Sequence, residues 1–376
     1  MAYWDKNGPD QVLPGLYMVI EKMQEAAIRP GQRGVIGMVT NGLAASKGKV
    51  VTLRNVGEAL VALGVSNYKF AKRAFEGGAR QIVAYVLEDA EELESGLAKL
   101  DPYYFDVFTL GRDLAAGDAE DLKAWRIRNE LDGKNYVGVI GGPAGLADNS
   151  AIKGAYATGK HGDLMYVGMG GVDLDGVVVS PGELAAWLAG AQGGKGMAQG
   201  SLTRKVIGFL SDVERRLTKA EREDLFQAGV AVPVHNGQEV VLDAAITSSK
   251  VIEGTNPSKP HHANGKLRIA YNAAVLQTSI NEAVESEFIG KINNDLPGQE
   301  VLTSALDTFI DTLIDEGVLS PGTAVTVHPD YPSVGDQIFL LIQGYFIDAA
   351  ERFYIDFQVG NVPVANNTDT AATGGA

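Results

Sequence analysis

The chain has 376 residues, no cysteine, and 47 acidic against 32 basic side chains, a formal net charge of −15 at pH 7. Without thiols it forms no disulfides, thiolate nucleophiles or cysteine-based zinc sites, which fits a reducing compartment. The acidic balance argues against a nucleic-acid surface, which needs lysine and arginine on phosphate.

A hydrophobic content of 45% supports sizeable cores, and the length suits two domains or more. No run approaches ~18 apolar residues, and Met1-Ala2-Tyr3-Trp4-Asp5-Lys6 lacks the basic and apolar regions of a signal peptide. A soluble chain without membrane insertion is expected.

Residues 1–20 read as an extended arm. Pro9, Pro14 and Gly15 disfavour helix, while Leu16-Tyr17-Met18-Val19-Ile20 is strand-like. The arm either edges the chain's own sheet or is donated to a neighbour. The polar turn Arg29-Pro30-Gly31-Gln32-Arg33-Gly34 leads into an apolar run, Val35-Ile36-Gly37-Met38-Val39.

From there to about residue 250, apolar runs alternate with helical patterns. Strands are expected at 35–39, 81–87, 104–110, 136–140 and 164–169. Helices are expected from Val56, from Lys69, over 90–100 and 117–131, and from Pro181, whose proline suits a first turn. This alternation predicts a mostly parallel sheet with helices on both faces. A short acidic helix over 218–228 follows. Val230 to Leu242, with Asn236-Gly237 in its middle, reads as a hairpin.

Residues 253–266 are polar and rich in proline and glycine, the composition of a linker. Beyond it, Ile269, Ala273, Leu276, Ile280, Val284 and Phe288 recur at helical spacing. Val301, Leu302, Ala305, Leu306, Phe309, Ile310 and Leu313 trace a second helical face, stopped at Gly317. Gly290, Asn293-Asn294 and Pro297-Gly298 read as the break between the two helices. Apolar runs at 324–328 and 337–347 follow. In 351–359, Phe353, Ile355, Phe357 and Val359 alternate as one face of a strand. The small, polar tail from Ala365 reads as disordered.

The search for chemistry returns no site. Gly138 to Gly145 follows a strand as a phosphate loop would, but it lacks the Gly-Lys-Ser/Thr ending, and Pro143 removes a backbone donor. Asp173-Leu174-Asp175-Gly176 lacks the remaining ligands of a calcium loop and reads as a surface turn. The five histidines form no His-Glu-x-x-His pattern, and no Gly-x-Ser-x-Gly elbow occurs. A Ser/His/Asp triad is spatial, so spacing alone does not display one. The acidic residues over Asp89 to Glu94, with Asp307, Asp311, Asp315 and Glu316, read as solvated helix faces. No catalytic residue, cofactor or metal is expected. Strand-forming sequence at both ends of the chain, each beside a joint, instead suggests pairing across subunits.

Three stretches together carry a resemblance. They are Pro14-Gly15-Leu16-Tyr17 followed by Arg29 to Gly37; Ser201-Leu202-Thr203-Arg204-Lys205-Val206-Ile207-Gly208 through Leu217-Thr218, Ala228-Gly229 and Ile246-Thr247; and Asn281 through Phe288 to Asn294. In order and spacing the chain resembles the tail sheath proteins of contractile phage tails and phage-tail-like bacteriocins. It departs from them at Ala245-Ile246-Thr247-Ser248-Ser249, where the family often has a more apolar Asn-Thr-like turn.

The resemblance implies a non-enzymatic subunit stacked as hexameric rings around an inner tail tube protein, with baseplate and tail terminator proteins as further partners. It implies an α/β outer domain with a subtilisin-like layered parallel sheet, non-catalytic, and an α+β C-terminal domain facing the tube. On this chain the arm is 1–22, the joint 23–34, the outer domain 35–252, the linker 253–266, the C-terminal domain 267–347, and the C-terminal arm and tail 348–376. Leu16, Tyr17 and Val19, with Phe353, Ile355, Phe357 and Val359, would form the inter-subunit strands, and Lys291 would face the tube. The expected place is a virion tail or phage-tail-like particle, assembled in the host bacterial cytoplasm. The competing reading is a hydrolase-like α/β enzyme.

Overall fold

A computed structural model describes residues 33–251, 265–351 and 353–356, together with the backbone at 2–3 and 17–18. In chain order the elements begin with β1 (Ala2–Tyr3) and β2 (Tyr17–Met18), which pair in parallel. Next come β3 (Val35–Thr40), β4 (Val50–Leu53), α1 (Val56–Leu63), α2 (Tyr68–Gly77), β5 (Gln81–Val86), α3 (Leu93–Ala98), β6 (Val107–Gly111) and α4 (Asp118–Leu131). Then follow β7 (Val137–Gly141), α5 (Asn149–Ala155), β8 (Leu164–Val167), β9 (Gly171–Asp173), β10 (Val178–Val179), α6 (Pro181–Gly193), β11 (Leu210–Val213) and α7 (Lys219–Gln227). The last are β12 (Val230–Ala231), β13 (Pro233–His235), β14 (Val240–Leu242), α8 (Leu267–Ala283), α9 (Leu296–Asp315), β15 (Ala324–Val327) and β16 (Leu340–Gln343).

A seven-stranded sheet in the order β12-β8-β7-β6-β3-β5-β4 organises the molecule. It is parallel except at one edge, where β4 runs antiparallel to β5 with Val50 opposite Tyr85. Every residue of β6, β7 and β8 is buried, as strands covered on both faces require. Successive side chains enter different cores. Val107 joins the cluster containing α6, and Phe108 joins the one beneath α3 and α4.

The hairpin expected over Val230–Leu242 is divided. Val230-Ala231 adds to the large sheet beside β8, and only β13 and β14 pair as a hairpin, with Gly237 at φ +105° in its turn. The expected strand at 104–110 starts later, at Val107, because Phe105 turns into the aromatic cluster of Phe108, Trp125 and Tyr136.

Helix α6 is buried along all thirteen residues, so it has no polar face to show in the sequence. Ser180 Oγ accepts from Glu183 N and Pro181 opens the first turn. The helix packs backbone to backbone on α2. A Cβ on Gly77 would stand 2.1 Å from the Trp187 carbonyl oxygen, and one on Gly190 would stand 2.0 Å from that of Ala74. The same apolar cluster continues through Leu267, Tyr271 and Val275 of α8 into Phe309 and Leu313 of α9. Of the linker expected at 253–266, only Gly265 and Lys266 are described. Lys266 bridges antiparallel to Ile246.

Candidate assembly surface

The corner between α8 and α9 is built from its backbone. α8 widens into one π-helical turn, Val284–Phe288, closed by Ile289 N donating to Val284 O at 3.0 Å. Phe288 ends that turn buried, and Gly290 follows at φ +72°. Pro297 and Gly298, expected to complete the break, instead lie in the first turn of α9, capped by Asp295 Oδ1 accepting from Gly298 N. Proline at a first turn loses no helical hydrogen bond. Gly298 is needed because a Cβ there would stand 2.0 Å from Asn293 O. Asn294 does more than turn the chain. Its Nδ2 donates to the carbonyls of Gly335 and Gln337, both at 3.0 Å, pinning the β15–β16 loop onto the corner.

That loop joins a two-stranded sheet, Val325 opposite Ile342 and Val327 opposite Leu340. His328 N donates to Phe339 O, so in antiparallel alternation the amides of Val325 and Val327 point away from β16. One of them is occupied: Val325 N donates to Asp307 Oδ1 of α9. Asp307 therefore ties α9 to β15 and is not a solvated helix residue as expected. Glu91 likewise departs from that expectation, accepting from Tyr85 Oη, Glu88 N and Ser95 Oγ. On β16 the outward groups belong to Leu340 and Ile342, and among the described residues no third strand meets them.

Beyond β16, Ser320 N donates to Tyr345 O and Ile347 N to Val318 O. Glu351 then pairs with Lys266, which also faces Asp348 at 3.7 Å. Tyr345, Phe353, Tyr354 and Ile355 are 78%, 75%, 90% and 84% exposed. Together they form a large exposed aromatic and aliphatic surface after β16.

Alternative chemistry has poor geometry. Where a phosphate would sit after β7, the N-terminus of α6 is packed instead, and a Cβ on Gly141 would stand 2.1 Å from Pro181 O. The parallel sheet changes winding direction beside β3, where α/β enzymes place ligands at the C-terminal strand ends. There Arg112 is paired with Asp118 at 2.5 Å and Asp113 accepts from Gly182 N. A cleft of about 310 Å³ lies at the opposite strand ends, lined by Arg33, Asp106, Tyr136 and Glu282 among others.

Ser248, His161 and Asp163 do approach one another. Ser248 Oγ, however, exchanges hydrogen bonds with the His161 backbone, while the imidazole faces Glu130 and Asp163. The carboxylates address different ring nitrogens, Nε2 and Nδ1, and Asp163 is already held by Arg126 at 2.6 Å. This geometry gives no serine nucleophile; Glu130, His161 and Asp163 bring one ligand atom each within 4.8 Å of the others, a spacing compatible with a metal ion, while Asp163 is also engaged by Arg126.

The family model of the phage tail sheath protein central domain matches residues 88–248. Over those residues the chain is similar to a phage tail sheath central domain. The matched stretch extends from the end of β5 through β14. Solved sheath structures share the fold beyond those limits. The sheath tail protein of Desulfitobacterium hafniense superposes with a TM-score of 0.66 at 15% identity, over 89% of this chain and 100% of its own. That of Listeria innocua gives 0.62 at 14%, over 85% and 97%. The helical sheath of the anti-feeding prophage in its contracted state gives 0.69 at 14%, over 93% and 99%. At such identities the likeness establishes a mixed α/β sheath fold with a parallel sheet. No curated protein matches in sequence.

Around this stretch the expected site residues are unevenly placed. Leu16, Val19, Phe357 and Val359 lie outside the described residues. Tyr17 lies on β2, whose partner is β1 of the same chain. Phe353 and Ile355 are exposed and belong to no strand, since a strand needs an edge to pair with. Lys291 is exposed, but its ammonium turns back to the Ser286 carbonyl and Glu287, beside the preceding turn. From sequence, Asn294 reads only as part of the helix break and Asp307 only as a solvated helix face. Nothing in a helix-face aspartate or an Asn-Asn turn announces a contact more than a dozen residues away.

Proposed function

We propose that the protein is the sheath subunit of a contractile phage-tail-like particle, a structural and non-enzymatic role. Subunits would stack as hexameric rings around an inner tail tube, between a baseplate and a terminator. Contraction would drive the tube through a target envelope, with the particle assembled in the bacterial cytoplasm. The observation carrying this reading is the match to the sheath central domain at residues 88–248, continued by a fold shared with a contracted helical sheath over 93% of the chain.

In this reading residues 35–252 form the outer domain, with a subtilisin-like layout, and 267–347 the inner one. Numbered within the sheet in chain order, the strand order is 2-3-1-4-5-6-7, which supports that layout. Strands at 12–20 and 351–359 of neighbouring copies would extend the β15–β16 sheet. Asp307 on Val325 favours addition along β16, where Leu340 and Ile342 offer unpaired backbone. Lys291 would contribute to the tube-facing side.

Removing residues 1–20 tests the arm. The truncated chain should remain folded and monomeric in sedimentation, while the full chain polymerises. Long tubes from the truncated chain would remove the arm from the account.

A further inference from the structure

Arg268 occupies the second position of α8 and is only 7% exposed, yet its Nε has no hydrogen-bond partner. Among the described residues no carboxylate pairs with its guanidinium. A buried charge is costly unless it is paired, and a cation at a helix N-terminus adds to the positive end of the dipole. No side chain caps this helix, and of its first amides Leu267 N already donates to the Ala245 carbonyl at 3.2 Å. Lys266, at its N-cap position, is already taken by Glu351 and Asp348.

The neighbourhood adds more positive charge. Tyr271 Oη donates to Lys195 O at 3.3 Å and Asn272 Nδ2 to Met197 O at 3.2 Å, holding the loop after α6 against the first turns of α8. On that loop the half-buried Lys195 ammonium donates to the carbonyls of Gly200 (2.7 Å) and Ser201 (3.4 Å), and to no carboxylate among the described residues. Burial, and then the like charges of Lys205 and Arg268, lower the Lys195 pKa. Lys205 is exposed, which leaves the group open to solvent. A buried arginine and a half-buried lysine, neither hydrogen-bonded to a carboxylate among the described residues, are unexpected in a chain of net charge −15.

We propose that Arg268, Lys195 and Lys205, with the uncapped first turn of α8, form a binding site for an oxyanion, a carboxylate or a phosphate group. The guanidinium offers a bidentate fork, the ammonium groups add charge, and helix amides complete a recurrent anion-binding arrangement. Two sources carry such a group: phosphate in solution, or an Asp or Glu side chain of a second copy. The second source rests on the polymer reading above, and the first does not.

The test is titration of the full chain with inorganic phosphate at constant ionic strength, with chloride as reference, by calorimetry and thermal melting. Arg268→Met and the exposed Lys205→Met are compared with the parent. For the free-anion source, the parent binds phosphate saturably and its Tm rises with phosphate. Each variant then loses about tenfold or more in affinity. For the second-copy source, both variants weaken polymer formation while keeping the parent circular dichroism spectrum, and phosphate competes with assembly of the parent. If Arg268→Met does not fold, Lys205→Met carries the same readings. The proposal is overturned if phosphate and chloride act alike on all three proteins and the variants assemble as the parent does. Should the parent never polymerise, the sheath reading fails and the phosphate titration alone still decides this site.

Discussion

Asp307 and Val325 hold the C-terminal sheet to the helix beneath it: Asp307 Oδ1 accepts from Val325 N at 3.3 Å, on the edge of β15 that faces away from β16. A carboxylate on an outward amide satisfies a backbone group that would otherwise be available to a passing strand. Asp307→Ala should speed hydrogen exchange at the Val325 amide by about fivefold to tenfold, since the lost bond is worth about 1 kcal/mol. Unchanged exchange would show that the contact does not protect the edge.

The α2–α6 contact depends on two glycines. Gly190→Ala places a methyl carbon 2.0 Å from Ala74 O, and Gly77→Ala places one 2.1 Å from Trp187 O, both against backbone that has no rotamer to change. Each substitution should cost about 1–3 kcal/mol or more in urea unfolding, despite alanine's better helix propensity. A stabilised Gly190→Ala would mean that the helices sit further apart.

Much of the outer domain was legible because its strands are buried on both faces and so read as unbroken apolar runs, as at Val35–Thr40 and Gln81–Val86. Ser180-Pro181 announced α6 for a local reason, a cap followed by a first-turn proline. Val50–Leu53 was missed. As an edge strand it mixes half-buried Val50 and Val51 with exposed Thr52, and its partner, β5, lies well downstream. The Asn293 to Gly298 corner was read as one break because proline and glycine carry the same local signal in a turn and in a first helical turn. Asn293 O decides between them, and that contact is tertiary. For the assembly surface, Phe353 and Ile355 alternate like a strand but pair with none among the described residues, and the contacts of Asn294 and Asp307 are tertiary, so neither leaves a local pattern.

Arg126 and Asp163 form an ion pair 2.6 Å long with side chains 2% and 4% exposed. Arg126→Ala should destabilise by about 3–5 kcal/mol, because it takes the guanidinium away from a buried carboxylate. Arg126→Met combined with Asp163→Leu should lose much less, with both charges gone. Urea midpoints of the two variants make the comparison, and equal losses would contradict it.

Glu351 fastens the start of the C-terminal arm to Lys266. Burial alone would raise its pKa, but the hydrogen bonds of Lys266 and Thr203, the Lys266 charge and Ser201 outweigh that and lower it. A folded pKa below the unfolded one gives stability that is complete above the unfolded carboxylate range. That stability is lost as pH falls through the folded pKa. The segment around 345–351 should therefore exchange amide hydrogens more readily under acid than at pH 7, beyond the change elsewhere in the fold. Lys266→Gln should weaken the anchor at neutral pH and shrink the difference. The same pH response with and without Lys266 would assign the anchor to other groups.

The central claim is that this chain acts as a polymer subunit, and electron microscopy of the purified full chain over a range of concentrations tests it most directly. The account predicts hexameric rings or wide ribbed tubes. Uniform single particles the size of one chain, at every concentration and with a tube protein supplied, would contradict it.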